Sequence, residues 1–115
     1  MLSSNYGKRN NEIKQLFLDN GIVFCGQSSR DISFGNGRVF VTDQKNCFAI
    51  YARGEDSEKD IFIRIFEKYN PILGSVRRNP EASNPRKCCA RWNHSEKDGV
   101  IMLSVVKDIL SAVGY

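Results

Sequence analysis

RVFVTDQKNCFAIYAR, residues 38–53, holds two β-favouring runs on either side of a short polar turn. Val39, Phe40 and Val41 lie in the first run, Arg38–Thr42. Such branched and aromatic side chains suit a pleated, half-buried surface. Asp43–Asn46 supplies turn residues. The second run, Cys47–Arg53, is apolar along most of its length, as expected for a strand in the middle of a sheet.

Towards the N-terminus, residues 26–37 (GQSSRDISFGNG) are rich in Gly, Ser and Asn and read as a loop or wide hairpin. Asn36-Gly37 is a strong turn signal, and Ile32 with Phe34 could form a short strand. Ile22-Val23-Phe24-Cys25 reads as a buried strand. Ahead of it, Ile13, Leu16 and Phe17 fall at helical spacing. A first helix is therefore expected over 11–19, capped by Asn10 or Asn11 and stopped by Asn20-Gly21. Residues 1–9 are polar and read as loose.

Towards the C-terminus, Ser57-Glu58-Lys59-Asp60 resembles a capping box with Asp in place of the usual Glu. Ile61, Phe62, Ile65, Phe66 and Tyr69 follow on one helical face, and Asn70-Pro71 ends it. Residues 72–78 and 88–92 read as two strands around an irregular loop, Asn79–Lys87, which contains Pro80 and Pro85. After a second capping pattern, Ser95-Glu96-Lys97-Asp98, an apolar stripe runs through Met102, Val105, Val106, Ile109, Leu110 and Val113. It is the cleanest amphipathic helix in the chain. The order is αβββαββα: an α+β domain with an antiparallel sheet of about five strands and three helices on one face. With no repeat, low-complexity tract or boundary, residues 1–115 read as one domain.

Composition supports a globular chain. Apolar residues make up 41% of the 115 and charged residues 26%, both near the averages for folded domains. No run is long and apolar enough for a membrane helix, and Met1–Asn11 lacks the apolar core of a signal peptide. The expectation is a complete cytoplasmic protein. Cys25, Cys47, Cys88 and Cys89 form no CxxC pair. Cys25 and Cys47 sit within apolar runs and read as buried free thiols. Cys88 and Cys89, adjacent on a strand, would point to opposite faces and could not readily share a metal with His94. No metal site or cofactor is expected.

The charge is localised. Residues 76–92 carry Arg77, Arg78, Arg86, Lys87 and Arg91 against one acid, Glu81. That net of +4 equals the formal charge of the whole chain. A confined basic patch suits an anionic partner, and four arginines suit forked contacts to phosphate or guanine edges. Trp92, beside the patch, reads as a core anchor with Arg91 on the opposite side of its strand. Tyr51 and Phe48 could stack on bases, but their neighbours favour burial. His94 reads as a turn or cap residue. Neither GxGxxG nor GxxxxGK occurs. Asp19, Asp31 and Asp43 lie at element ends, as metal-ligating acids of a nuclease can.

From residue 47 onward the chain resembles the LAGLIDADG homing-endonuclease family. Cys47–Arg53 matches that family's strand and Asp60–Tyr69 its helix. Gly74-Ser75-Val76-Arg77-Arg78 matches a glycine-led strand, and Arg91–Ser95 with Val100–Val113 matches the closing strand and helix. The resemblance implies DNA binding through the sheet. Leu16–Gly21 stands where the family's motif would lie. The position of the metal-binding acid is Asn20, Asp19 falls one residue early, and Lys14 and Gln15 replace the small helix-packing residues. The resemblance does not therefore extend to cleavage.

Three functional classes follow. The leading expectation is a small DNA- or RNA-binding accessory or regulatory protein, of phage or mobile-element type, docking through Arg77, Arg78, Arg86, Lys87 and Arg91. The second is a protein-interaction module or inhibitor using the same patch against an acidic surface. The third is a metal-dependent nuclease using Asp19, with Asp43 as a second candidate, the one case that would call for Mg2+. A homodimer is compatible with all three.

Overall fold

The computed structural model describes residues 6–27, 31–44, 46–78, 87–94 and 98–115. Three helices and one six-stranded antiparallel sheet alternate as α1 (Tyr6–Asp19), β1 (Phe24–Gln27), β2 (Asp31–Phe34), β3 (Val39–Asp43), β4 (Cys47–Arg53), α2 (Asp56–Lys68), β5 (Arg77–Arg78), β6 (Lys87–Asn93) and α3 (Asp98–Ala112). The spatial order is β1-β2-β3-β4-β6-β5. The α+β class, three helices and antiparallel sheet follow the sequence reading, with one strand more than expected.

The extra strand is β2, inside the stretch read as a loop. Ile32 and Phe34 are buried and alternate with Asp31 and Ser33. The turn that pairs β2 with β3 has Gly35, Asn36 and Gly37 all at positive φ, a run that glycine and asparagine tolerate. Gly37 and Arg38 donate backbone N–H groups to the carbonyls of Phe34 and Gly35 at 3.2 and 3.1 Å.

Three other boundaries move. Helix α1 begins at Tyr6, so Asn10 and Asn11 lie within it rather than capping it, and 6–9 are ordered. The cause is long-range: Arg9 is buried and ion-paired with Asp43 on β3. Strand β1 is an edge strand with an irregularity between Phe24 and Gly26. Its segment alternates, so Ile22 and Phe24 pack on the core while Val23 is 74% exposed and Cys25 is exposed rather than buried. Strand β5 has only two residues because 72–75 form a turn, with Gly74 at φ +80° and the Ser75 N–H bonded to the Ile72 carbonyl at 2.9 Å. Ser75 then stands in for a strand partner, its Oγ accepting the Arg91 N–H at 3.1 Å.

The helices all cover one face of the sheet. Ile13 and Phe17 of α1, Phe62 and Phe66 of α2, and Met102, Val105, Val106 and Ile109 of α3 form one core with the inward-facing strand residues Ile32, Phe34, Val39, Val41, Phe48, Ile50, Ala52, Cys88, Ala90 and Trp92. Trp92 stacks on Phe48 at 5.6 Å between centroids, meets Phe66 edge-on at 6.1 Å, and donates its ring N–H to the Tyr69 carbonyl at 2.8 Å. An indole buried this way keeps its polar atom satisfied. The α3 stripe falls where its spacing puts it. On α2 the buried stripe runs Lys59, Phe62, Phe66 with half-buried Tyr69, while Ile61 is 42% exposed. Lys59 is buried with its ammonium 2.9 Å from Asp56 one turn earlier. The capping interaction of α2 also lies two residues earlier than read: the Glu55 N–H donates to the Glu58 carboxylate at 3.0 Å. Arg38 holds this corner together, donating to the Arg53 carbonyl and to Glu58, both at 2.8 Å.

Among the described residues, no helix is long and apolar enough to cross a membrane.

Candidate nucleic-acid interface

Strand alternation sends every second side chain to the face that the helices leave uncovered. Register then orders them into rows. Ser33 of β2 pairs with Phe40 of β3, Phe40 with Tyr51 of β4, Tyr51 with Cys89 of β6, and Cys89 with Arg77 of β5. One row therefore crosses five strands with an aromatic pair at its centre. On one side of it lies the pair Arg53 and Lys87; on the other lies the row Asp31, Thr42, Ala49 and Arg91.

Phe40 and Tyr51 are stacked, 4.6 Å apart with an interplanar angle of 8°. Cations surround them. The Lys87 ammonium lies 5.1 Å and the Arg53 guanidinium 5.9 Å from the Phe40 ring centroid, within the range for cation–π attraction. Arg91 lies beside the Tyr51 hydroxyl and also reaches the Gln44 side-chain carbonyl at 3.4 Å. Partial burial pushes the Tyr51 phenol above its ordinary value, with Cys89 adding to the rise and Arg91 opposing it. Burial likewise raises the Cys89 thiol, against the pull of Arg91 and Arg77. At pH 7 both groups are therefore neutral and do not offset the cations.

Arg53 and Lys87 are direct cross-strand partners of like charge, an arrangement that costs stability. The Arg53 Nε is buried and meets no hydrogen-bond acceptor among the described residues. Together with Asp31, Ser33, Gly37 and Phe40, these two cations line a shallow depression of about 240 Å³.

The sequence-predicted cations divide between the two faces. Arg77, Lys87 and Arg91 are on the open face. Arg78, opposite Cys88, is on the helix side and pairs with Asp60 of α2. Arg86 lies outside the described residues. The sequence reading singled out neither Arg53 nor Phe40, and Tyr51, which it weighed for stacking but favoured as buried, lies partly buried on the open face. Phe48 points the other way, fully buried. The signal for Phe40 lies in period-two alternation: it is the outward residue between inward Val39 and Val41.

The acids do not converge. Asp19, exposed at the end of α1, accepts a hydrogen bond from Gln15 at 2.7 Å. Asn20 donates to the Leu16 carbonyl at 2.8 Å, a capping bond that an ionised carboxylate could not make. Asp31 faces outward, whereas Asp43, opposite Phe48, faces inward and is 2% exposed. Its oxygens lie 3.3 Å from the Arg9 Nε and 3.2 Å from the His94 Nε2. Arg9 also reaches His94 Nδ1 at 2.7 Å, and His94 Nε2 lies 2.9 Å from the Gln44 carbonyl. A guanidinium can only donate, so Nδ1 accepts and Nε2 carries the proton. Both ring nitrogens are engaged within the cluster, which suits a structural tie between α1, β3 and the end of β6. Among the described residues, no group of three or more His, Cys, Asp or Glu could hold a metal ion.

Compared with protein-family models, curated proteins and solved structures, the chain matches none.

Proposed function

We propose that this chain is a small cytoplasmic nucleic-acid-binding protein of accessory or regulatory type, and that its interface is the uncovered face of the sheet. The observation that carries this reading is the state of the cations. Arg53, Arg77, Lys87 and Arg91 share that face, and none has an acidic partner among the described residues. On the helix side, by contrast, Arg9, Lys59 and Arg78 are each paired with an Asp. Unneutralised cations on one surface attract a polyanion, and guanidinium forks match phosphate geometry.

The resemblance of residues 47–113 to the LAGLIDADG family points the same way, since it implies DNA binding through the sheet. From Cys47 the elements run strand, helix, two strands, helix, with β5 reduced to two residues. Binding without cleavage is the mechanism we favour. Asp43 is committed to Arg9 and His94, Asp19 is bonded to Gln15, and Asn20 stands where the family's acid would be.

The test is a fluorescence-anisotropy titration with labelled nucleic acid across a series of salt concentrations. Four phosphate contacts release enough counterions to give a slope of log K against log salt of about −3 to −4. Arg77→Gln should flatten that slope by about one contact, whereas Arg78→Gln, on the other side of the sheet, should leave it unchanged. Salt-independent binding, or no binding at low salt, rejects the proposal and favours an acidic protein surface as the partner.

A further inference from the structure

Building on that reading, we infer that the open face takes a single strand, with unpaired bases stacked against Phe40 and Tyr51 and an adjoining phosphate held by Arg53 and Lys87.

Two independent observations carry the inference. The first is the aromatic pair. Phe40 and Tyr51 stand at the centre of a face that none of the described helices covers, only partly buried. A cross-strand pair there could serve the sheet alone, but then apolar neighbours should surround it, as they surround Phe48. The neighbours are instead Arg53, Lys87 and Arg91. Aromatic rings set among cations match the two parts of a nucleotide, a flat apolar base and a charged phosphate. Bases in a duplex are already stacked on one another and shield their faces, so such a site rewards strands whose bases are free.

The second observation is the strained charge pair. Arg53 and Lys87 oppose one another across β4 and β6, and the Arg53 Nε is buried without an acceptor. A phosphate in the depression they line would separate the two charges and supply oxygens to both. Ser33 lines the same depression, offering a hydroxyl to a base or sugar. The phosphate site thus adjoins the Phe40 ring, as required if one nucleotide is to satisfy both. A sheet face carrying exposed aromatics stacks about two or three bases, so short oligomers suffice.

The experiment compares four labelled ligands of equal length at one salt concentration: oligothymidylate, oligouridylate, a DNA duplex, and an abasic single strand that keeps the phosphates but lacks bases. Oligothymidylate or oligouridylate should bind about tenfold or more tightly than the abasic strand, the effect of stacking one or two bases, and more tightly than the duplex. Tighter binding of either backbone supports the inference and names the source as DNA or RNA. Phe40→Leu and Tyr51→Leu, checked for unchanged thermal melting, should each weaken the base-bearing single strands at least fivefold and leave the abasic strand within twofold. Equal binding of abasic and base-bearing strands, or a duplex preference, overturns single-strand stacking while leaving salt-dependent nucleic-acid binding intact. Failure of all four ligands to bind removes both proposals together.

Discussion

Phe48 and Phe40 sit on neighbouring strands of one sheet and meet opposite fates. Phe48 is fully buried, stacked on Trp92 beneath the helices. Phe40 stands on the uncovered face, stacked on Tyr51 and flanked by Arg53 and Lys87. The same division holds for charge. Beneath the helices, buried Arg9 and Lys59 each face an Asp, because an ion removed from water without a counter-charge is costly. On the open face Arg53 and Lys87 have no acidic partner among the described residues and meet each other and the Phe40 ring instead, which a water-facing surface tolerates. One face is thus organised for stability. The other keeps groups that stability alone would not select, as the proposed interface requires.

The comparison is most sharply tested at Asp43. Replacing it by Ala leaves the buried Arg9 and the half-buried His94 without this acid, and should destabilise the fold by about 3–5 kcal/mol, read from urea unfolding. A loss below about 1 kcal/mol would show that the cluster is not a tie between α1 and the sheet. Next comes the aromatic contrast. Phe48→Ala should cost about 3–5 kcal/mol through lost burial and a cavity, whereas Phe40→Ala should cost about 1 kcal/mol or less. Comparable losses would mean that the two faces are not distinct in the way described. The smallest effect on stability is expected at Lys87→Gln. Relief of repulsion from Arg53 and loss of the Phe40 cation–π contact oppose each other, so stability should stay within about 0.5 kcal/mol. The same change should lower the salt slope for single-stranded nucleic acid by about 0.7. An unaltered slope would take Lys87 out of the interface.

Much of this architecture was legible beforehand. The Met102–Val113 stripe placed α3, and the runs Val39–Val41 and Cys47–Arg53 placed β3 and β4. Alternation put Trp92 inside and Arg91 outside. The clustering of cations in 76–92 identified the charged element, though not which way each cation points. Arg78 lies opposite the inward-facing Cys88, so its side chain joins the helix layer. Burial of Cys25 was misread because a short apolar run at a sheet edge alternates, with only one of its sides covered.

Local spacing determined the helices α2 and α3, the central strands and the hairpin turn at Gly35–Gly37, because each depends on residues a few positions apart. With that turn and Asp43–Asn46 bounding β3, the pairing of Phe40 with Ser33 and with Tyr51 is also a short-range consequence of register. The meeting of Arg53 with Lys87, and of Arg9 with Asp43 and His94, is of another kind. The first pairing spans α2 and β5, and the second joins the start of α1 to strands far along the chain. Periodicity carries no information about contacts across such separations. Only the packing of α2 against β6, and of α1 against the sheet, brought those residues together and divided the charges between a paired interior and an open face.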